Sequence, residues 1–238
     1  FYSYLHGELT NRDLEEFADV ERGKRAQARL LRQFPNVYGW LLLKRALSID
    51  LLTFWRETIT NAAGNEKELS ANAFMPPLTM WTGLDLSAAA DICDAVSPKL
   101  YTMHWSAMVE FWGRVLLDNN KGLDESLVVR ALVNLFDIED QATASKISDY
   151  GYPLPDEPHP IPNRPQERRI KQALSEVGGK ADTTFLMHGY GPPDDFARRF
   201  KLVADSEADG VWINRYGYLS DEKLDMVGDI WKDAESRK

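Results

Sequence analysis

Apolar positions in the first quarter of the chain recur at the spacing of a helix. Between Asn11 and about Asn61, apolar side chains return every three or four residues among charged ones, as they do on the buried face of an amphipathic helix. Pro35 interrupts this pattern, because proline removes a helical hydrogen bond. The pattern therefore predicts helical structure before Pro35 and a second helix that begins near Asn36 and ends before Gly64.

After Gly64 the pattern changes to short apolar runs that alternate with amphipathic helices. Four strands are predicted: Leu69 to Met75, Ala95 to Met103, Thr183 to His188, and Gly210 to Tyr216. The intervening helices have predicted N-terminal capping residues: Asp85 or Ser87, Asp124, Asp194 and Ser220. Strands that alternate with helices indicate a parallel sheet, whose faces those helices cover.

A proline-rich segment interrupts this alternation. Residues 149–165 contain six prolines, which exclude a regular helix or an interior strand. We expect this segment to be an extended surface loop inserted into the domain. The next helix is predicted from Gln166 to Val177.

The count of strands and helices predicts the fold class. About four β/α units are present, which is half of the eight that a closed barrel requires. The prediction is an α/β fold, a partial (β/α)8 (TIM) barrel made of about its last four units and preceded by long helices, in a single domain spanning 1–238. A shorter open α/β sheet is the structural alternative. The chain also opens on Phe1 without an initiator methionine, as expected of a fragment or a processed product.

The half-barrel prediction implies that the chain binds another protein chain. Its outer strands have no neighbour and its apolar faces are uncovered, which favours aggregation unless something covers them. We therefore expect either self-association or association with a missing N-terminal half. The sequence does not indicate a cellular compartment.

The amino-acid composition limits the classes of function that the chain can have. The 238 residues are 44% hydrophobic and 27% charged, with a net charge of −9, so a folded core is expected and binding to nucleic acid phosphates is disfavoured. Charged residues break every apolar run well short of the ~20 residues of a membrane span. Cys93 is the single cysteine and is predicted to be a small buried apolar residue.

Side chains at the predicted strand ends carry the candidate chemistry, since functional residues of parallel barrels gather there. They are mostly aromatic, with two histidines: Trp81 and Asp85, then Tyr101, His104 and Trp105, then His188 and Tyr190, and finally Arg215 and Tyr216. Aromatic rings stack on the apolar faces of sugar rings, while the polar groups bond to hydroxyls. The combination predicts a carbohydrate ligand.

The same regions resemble a family. Residues 82–108 contain a Gly-x-Asp turn before a helix, followed by Asp-x-x-Ser-Pro-x-x-Tyr in a strand, and residues 208–220 read Ala-Asp-Gly-Val-Trp-Ile-Asn-Arg-Tyr-Gly-Tyr-Leu-Ser. Both resemble the later strands of glycoside-hydrolase-like TIM barrels found in many bacterial genomes. The resemblance covers roughly residues 50–238 and implies hydrolysis of an oligosaccharide or polysaccharide.

Glycoside hydrolysis requires two carboxyl groups, one as acid and one as nucleophile or base. Glu8 and Asp85 are the predicted catalytic residues. Glu110 is expected in a loop after Trp105, and Asp195, beside Asp194, is expected to belong to a helix cap. The alternative function is a non-catalytic carbohydrate-binding or scaffold module that has kept the aromatic residues and lost the acids.

A metal-dependent hydrolase is a third hypothesis. Four histidines, with Asp85, could in principle surround an ion: His6, His104, His159 and His188. Their spacing matches no compact ligand motif. No phosphate-binding glycine loop and no Gly-x-Ser-x-Gly motif is present. We therefore expect no metal and no cofactor.

Overall fold

Four strands form one parallel sheet in the order β1-β2-β3-β4 in the computed structural model of the chain, which describes residues 1–237. Their bounds are β1 (Ser70–Phe74), β2 (Ala95–Leu100), β3 (Asp182–His188) and β4 (Gly210–Asn214). All neighbours are parallel, so the chain must cross back between strands. The predicted α/β class is confirmed.

Helices make up most of the rest of the described chain. Their bounds are α1 (Asn11–Phe17), α2 (Val20–Gln33), α3 (Pro35–Ala63), α4 (Thr79–Thr82), α5 (Leu86–Ala90), α6 (Thr102–Asn119), α7 (Glu125–Phe136), α8 (Asn163–Val177), α9 (Pro193–Ala204) and α10 (Asp221–Glu235). Short 3₁₀ turns cover Ile147–Tyr150 and Tyr216–Tyr218, and a π-helical turn covers Tyr4–Glu8. Within residues 1–237, no helix is both long and apolar enough to cross a membrane.

Three of the predicted helix caps are confirmed. The side chain of Asp85 accepts a hydrogen bond from the Ala88 amide, and Asp124 and Ser220 cap α7 and α10 in the same way. The predicted cap at Asp194 is wrong. Helix α9 begins at Pro193 and its N-cap is Pro192, two residues earlier than predicted, because a proline in the first turn already has a helical φ angle and needs no hydrogen bond there.

The predicted second strand is too long. It ends at Leu100, and α6 begins at Thr102, so Met103, His104 and Trp105 are helical rather than at a strand end. The buried residues of this segment, which include Thr102, Trp105 and Val109, recur at helical spacing. Glu110 is also helical, not in a loop, and pairs with Arg114 one turn later.

The last predicted strand and the loop helix also have corrected bounds. Strand β4 ends at Asn214, two residues before Tyr216. Helix α8 begins at Asn163 rather than Gln166, since Pro165 is tolerated in a first turn. Between Gly151 and Pro162 the chain forms no helix or strand, as the prolines predict.

The chain divides into two compact units, each made of several segments. Unit 1 contains Phe1–Trp40, Thr102–Pro153 and His159–Pro165, and unit 2 contains Leu41–Tyr101, Leu154–Pro158 and Gln166–Lys238. Unit 1 is helical. Helices α1 and α6 both pack on α7, and the Asn134 side chain donates to the Phe17 carbonyl at 2.7 Å.

Unit 2 is built on the sheet, and the two faces of the sheet differ in burial. Side chains on one face, such as Ala71, Val96 and Phe185, are buried. The alternate positions point to the other face, where Phe74 and Trp212 are exposed. Cys93, in the turn before β2, is buried as predicted.

Candidate functional site

The carboxyl ends of β2, β3 and β4 bring three polar or aromatic side chains into one row. Leu100 pairs with Met187, and His188 pairs with Asn214, so Tyr101 follows β2 at the level of His188. The Asn214 amide nitrogen donates to the Tyr101 phenol oxygen at 2.6 Å. The Tyr101 and His188 rings meet edge to face, with centroids 5.5 Å apart.

Tyr190 and Tyr218 complete this group, which we call the strand-end cluster (Tyr101, His188, Tyr190, Asn214 and Tyr218). The Tyr218 ring lies 5.6 Å from the His188 ring and 5.3 Å from the Tyr190 ring, between centroids. His188 and Tyr190 are buried, whereas Tyr218 is 46% exposed. A ligand in solvent can therefore reach the Tyr218 ring directly.

The imidazole of His188 has a defined hydrogen-bonding role. The backbone N–H of Tyr190 donates to His188 Nδ1 at 3.1 Å, so Nδ1 is the acceptor nitrogen. In a neutral imidazole the proton then resides on Nε2. Nε2 is therefore the donor nitrogen of this side chain.

Two buried cations hold the loop that carries this cluster. Arg199 donates to the carbonyl oxygens of His188 at 3.3 Å and Tyr190 at 2.6 Å. Lys223 donates to those of Gly189, Gly191 and Tyr218 at 2.8, 2.7 and 3.0 Å. Four consecutive carbonyls, from residue 188 to residue 191, thus accept from fixed cations. This arrangement positions the His188 and Tyr190 side chains before any ligand arrives.

Asp195 compensates part of this buried positive charge. Its two carboxylate oxygens accept from Arg199 Nε at 2.8 Å and from Arg198 at 2.7 Å. Burial favours the neutral acid, but the charge of Arg199 and the bonds from both arginines outweigh it and lower the pKa of Asp195. Burial, and then the nearby charge of Arg199, lower the pKa of Lys223.

Carboxylates from the proline-rich loop act on the same cluster. Burial is the largest influence on the Tyr190 phenol and raises its pKa; the Tyr218 phenol and the charges of Asp156 and Glu157 act in the same direction. Residues 154–158 belong to unit 2, as does the cluster. Acidic groups are therefore within electrostatic range of the candidate site.

Asp85, a predicted catalytic residue, has two structural partners. It caps α5 through the Ala88 amide at 3.0 Å and accepts from Arg45 Nε at 2.6 Å. Although burial opposes ionisation, these bonds lower the pKa of Asp85, which keeps it ionised and unsuited to donate a proton. A role as nucleophile or base stays a prediction, and Asp85 would have to give up these partners to perform it.

Glu8, the other predicted catalytic residue, is an exposed residue of unit 1. It ends the π-helical turn Tyr4–Glu8, in which Gly7 has a φ of +155°. Glu8 and Asp85 belong to different units. The catalytic pairing of the two stays a prediction.

The remaining predicted ligand-binding residues have different surroundings. Trp81 lies in α4, and its carbonyl accepts from Lys44 at 2.6 Å. His104 and Trp105 belong to unit 1, where Trp105 is buried and the His104 ring lies 5.7 Å from the Tyr152 ring. Arg215 and Tyr216 follow β4 and are exposed. The structure therefore brings Tyr101, His188 and Tyr190 together, and places His104 and Trp105 in the other unit.

The sequence reasoning missed Asn214, Tyr218, Arg199 and Lys223. The burial of Arg199 could have been predicted from the sequence, because Arg199 falls at helical spacing among the inward residues Phe196, Phe200 and Val203 of α9. Lys223 could also have been recognised from the sequence. It lies in the first turn of a predicted helix, where a positive charge interacts unfavourably with the helix dipole, so its position suggests a specific structural role. Asn214 and Tyr218 carried no signal that separated them from neighbouring polar and aromatic residues.

A metal site would need several ligating side chains close together. Among residues 1–237, no group of three or more His, Cys, Asp or Glu side chains is close enough to hold an ion. His159, one of the four histidines, instead bonds through Nδ1 to the Thr102 hydroxyl at 2.7 Å. No protein-family model, curated protein or solved structure matches this chain, so its function is inferred from its own residues.

Proposed function

We propose that the strand-end cluster binds a carbohydrate, and that the chain is a glycoside-hydrolase-like protein built as the last four units of a (β/α)8 barrel. The observation that supports this most directly is the cluster itself, in which three tyrosines, a histidine and an asparagine meet at the ends of parallel strands. In parallel barrels this edge carries the ligand-binding residues.

The chemistry of the cluster suits a neutral, hydroxyl-rich ligand. Phenol and amide groups both donate and accept hydrogen bonds, as sugar hydroxyls require. The exposed Tyr218 ring can stack on the apolar face of a sugar ring. Tyr216 and Arg215, exposed beside it, can extend the site along an oligosaccharide.

Binding is tested by calorimetric titration with a fixed set of probes: hexamers of cellulose, chitin, xylan and starch type. Tyr218→Ala is expected to weaken binding of the responding probe at least about tenfold, equivalent to about 1.4 kcal/mol. Tyr152→Ala is the matched control, because Tyr152 is also 46% exposed but lies in unit 1. Absence of binding by every probe, or equal losses in the two variants, would contradict the proposal.

Catalysis requires in addition a pair of carboxyl groups about 5–10 Å apart across the sugar. Glu8 and Asp85 are the residues predicted from the sequence, and Asp156 is a further candidate because its charge acts on Tyr190. Release of reducing ends from the bound probe is the assay. Loss of release in Glu8→Gln, Asp85→Asn or Asp156→Asn, with binding retained, would assign the hydrolytic carboxylate.

The alternative is a binding or scaffold module without catalysis. It is favoured by the observation that the residues of the cluster are groups for stacking and hydrogen bonding. A probe that binds but is never cleaved, with unchanged affinity in the same three variants, would establish this alternative.

A further inference from the structure

One face of the sheet in unit 2 is exposed at its outer strands, whereas parallel sheets normally have both faces covered. Phe74 and Trp212, on the outer strands, are exposed on this face. Ser97 and Thr184, on the inner strands, bond to each other there at 2.9 Å. Large aromatic side chains that remain exposed on the face of a parallel sheet are typical of a surface that another protein covers.

Each of the two edge strands of the sheet has one side that pairs with no other strand of the described chain, and these two free edges are complementary. Strands β1 and β4 are the outer strands, and within residues 1–237 each pairs on one side only. Both are five residues long, and all four strands run in the same direction. The free edge of β4 can therefore pair in parallel with the free edge of β1 in a second, identical sheet.

Helix α3 also has an uncovered side. It runs antiparallel to β1, since Lys44 bonds to the Trp81 carbonyl after β1, and Arg56 bonds to the Lys67 carbonyl before it. This is the direction of a helix that connects two parallel strands. On its other side, Leu43, Leu47, Leu51 and Phe54 form an exposed stripe.

We propose that the exposed sheet face and both edges are the interface with a second copy of this chain, in which two sheets close one eight-stranded parallel barrel. Strand β4 of each copy pairs with β1 of the other around a two-fold axis. Helix α3 of one copy and α10 of the other then flank each seam and cover the exposed leucines. This inference rests on the half-barrel reading proposed above, but not on the ligand.

A second copy satisfies the requirements of the sheet because it supplies four parallel strands, the number needed to reach eight. It also removes both open edges at once, as only closure can. The resulting contact is isologous, so the same surface of each subunit is buried.

Sedimentation velocity of the full chain tests this proposal. We expect a single species of twice the 27.1 kDa mass of one chain at micromolar concentration. Trp212→Arg should raise the dimer dissociation constant at least about a hundredfold, as expected for a central interface tryptophan. Leu154→Arg is the matched control, because Leu154 is 60% exposed and Trp212 is 62% exposed in the same unit, and it should remain dimeric.

Hydrogen exchange then identifies the contact. In the wild-type dimer the amides of β1 and β4 should exchange at least about tenfold more slowly than in Trp212→Arg, with circular dichroism unchanged. A monomeric wild type, open-ended larger assemblies, or a dimer whose β1 and β4 amides exchange as fast as in the monomer would each overturn the proposal. Sugar binding by a monomer would overturn this inference while leaving the carbohydrate proposal intact.

Discussion

Replacing Asp195 by asparagine tests the charge arrangement beneath the strand-end cluster. The Asp195 carboxylate is almost fully buried and bonds to Arg199, which is itself fully buried. In the variant Asp195→Asn, the neutral amide retains the size of the carboxylate but removes its charge. Arg199 and Lys223 then remain as buried cations without their acidic neighbour.

The expected cost follows from the burial of this pair. Breaking a buried ion pair by removing one partner costs about 3–5 kcal/mol, because the other charge stays buried and uncompensated. The amide oxygen can still accept one bond from Arg199, which places the expected loss at about 3 kcal/mol. That is a large part of the ~5–15 kcal/mol by which a typical domain is stable.

The assay is urea unfolding followed by circular dichroism, with Asp194→Asn as the control. Asp194 is the preceding residue in the same first helical turn, but it is exposed. Its substitution removes only the favourable interaction with the helix dipole, about 0.3–1 kcal/mol. The difference between the two variants therefore isolates the buried ion pair.

The pH dependence supplies an independent measurement. Because the pKa of Asp195 is held below its usual value of 3.8, its contribution is fully present above that pH and is lost as the pH falls through the lower folded-state pKa. The stability gap between the wild type and Asp195→Asn should narrow below about pH 4. Equal stabilities of the two asparagine variants, within about 1 kcal/mol at neutral pH, would refute this reasoning.

Three further predictions concern other parts of the chain. In urea unfolding, Gly83→Ala should lower the stability of the protein by about 1–3 kcal/mol more than Gly122→Ala does. Both glycines have φ above +80°, but only at Gly83 would an added Cβ lie 2.7 Å from the Lys44 side chain. Equal losses of stability in the two variants would contradict this prediction. Burial, followed by the charge of Asp13, raises the pKa of Tyr4 to about 12. The stability of the protein should therefore fall as the pH rises from 10 through 12. Over this pH range, the melting temperature of Tyr4→Phe should fall less than that of the wild type. Burial raises the pKa of the Cys93 thiol. Iodoacetamide at pH 8 should therefore modify Cys93 much more slowly in the native protein than in protein unfolded by guanidinium. Similar rates of modification would disprove the burial of Cys93.

Local patterns were sufficient for most of the secondary structure. Prediction and structure agree within one residue at both ends of β1 and β3, because short apolar runs bounded by turn residues have few other solutions. The caps at Asp85, Asp124 and Ser220 were also identified correctly, since capping depends on a side chain and the amides two or three residues later. At the end of β2 the same approach failed, because a run of apolar and aromatic residues fits either a strand or a buried helix.

The candidate site was predicted only in part. Tyr101, His188 and Tyr190 were identified because each follows a predicted strand, and the parallel register brings them together. His104 and Trp105 were grouped with them on the same reasoning, but the early end of β2 puts both in the helical unit. One wrong strand boundary was therefore enough to assign two residues to the wrong group.

The sequence by itself determined the α/β class and the number, order and starting points of the four strands, because these depend on spacing and residue type along the chain. Only the tertiary structure decided which residues meet at the strand ends. It also revealed Arg199 and Lys223 beneath them, and the exposed Phe74 and Trp212 side chains on one face of the sheet. These features depend on contacts between residues far apart in the chain, such as Lys223 with Gly189, and local periodicity carries no information about which distant positions will touch.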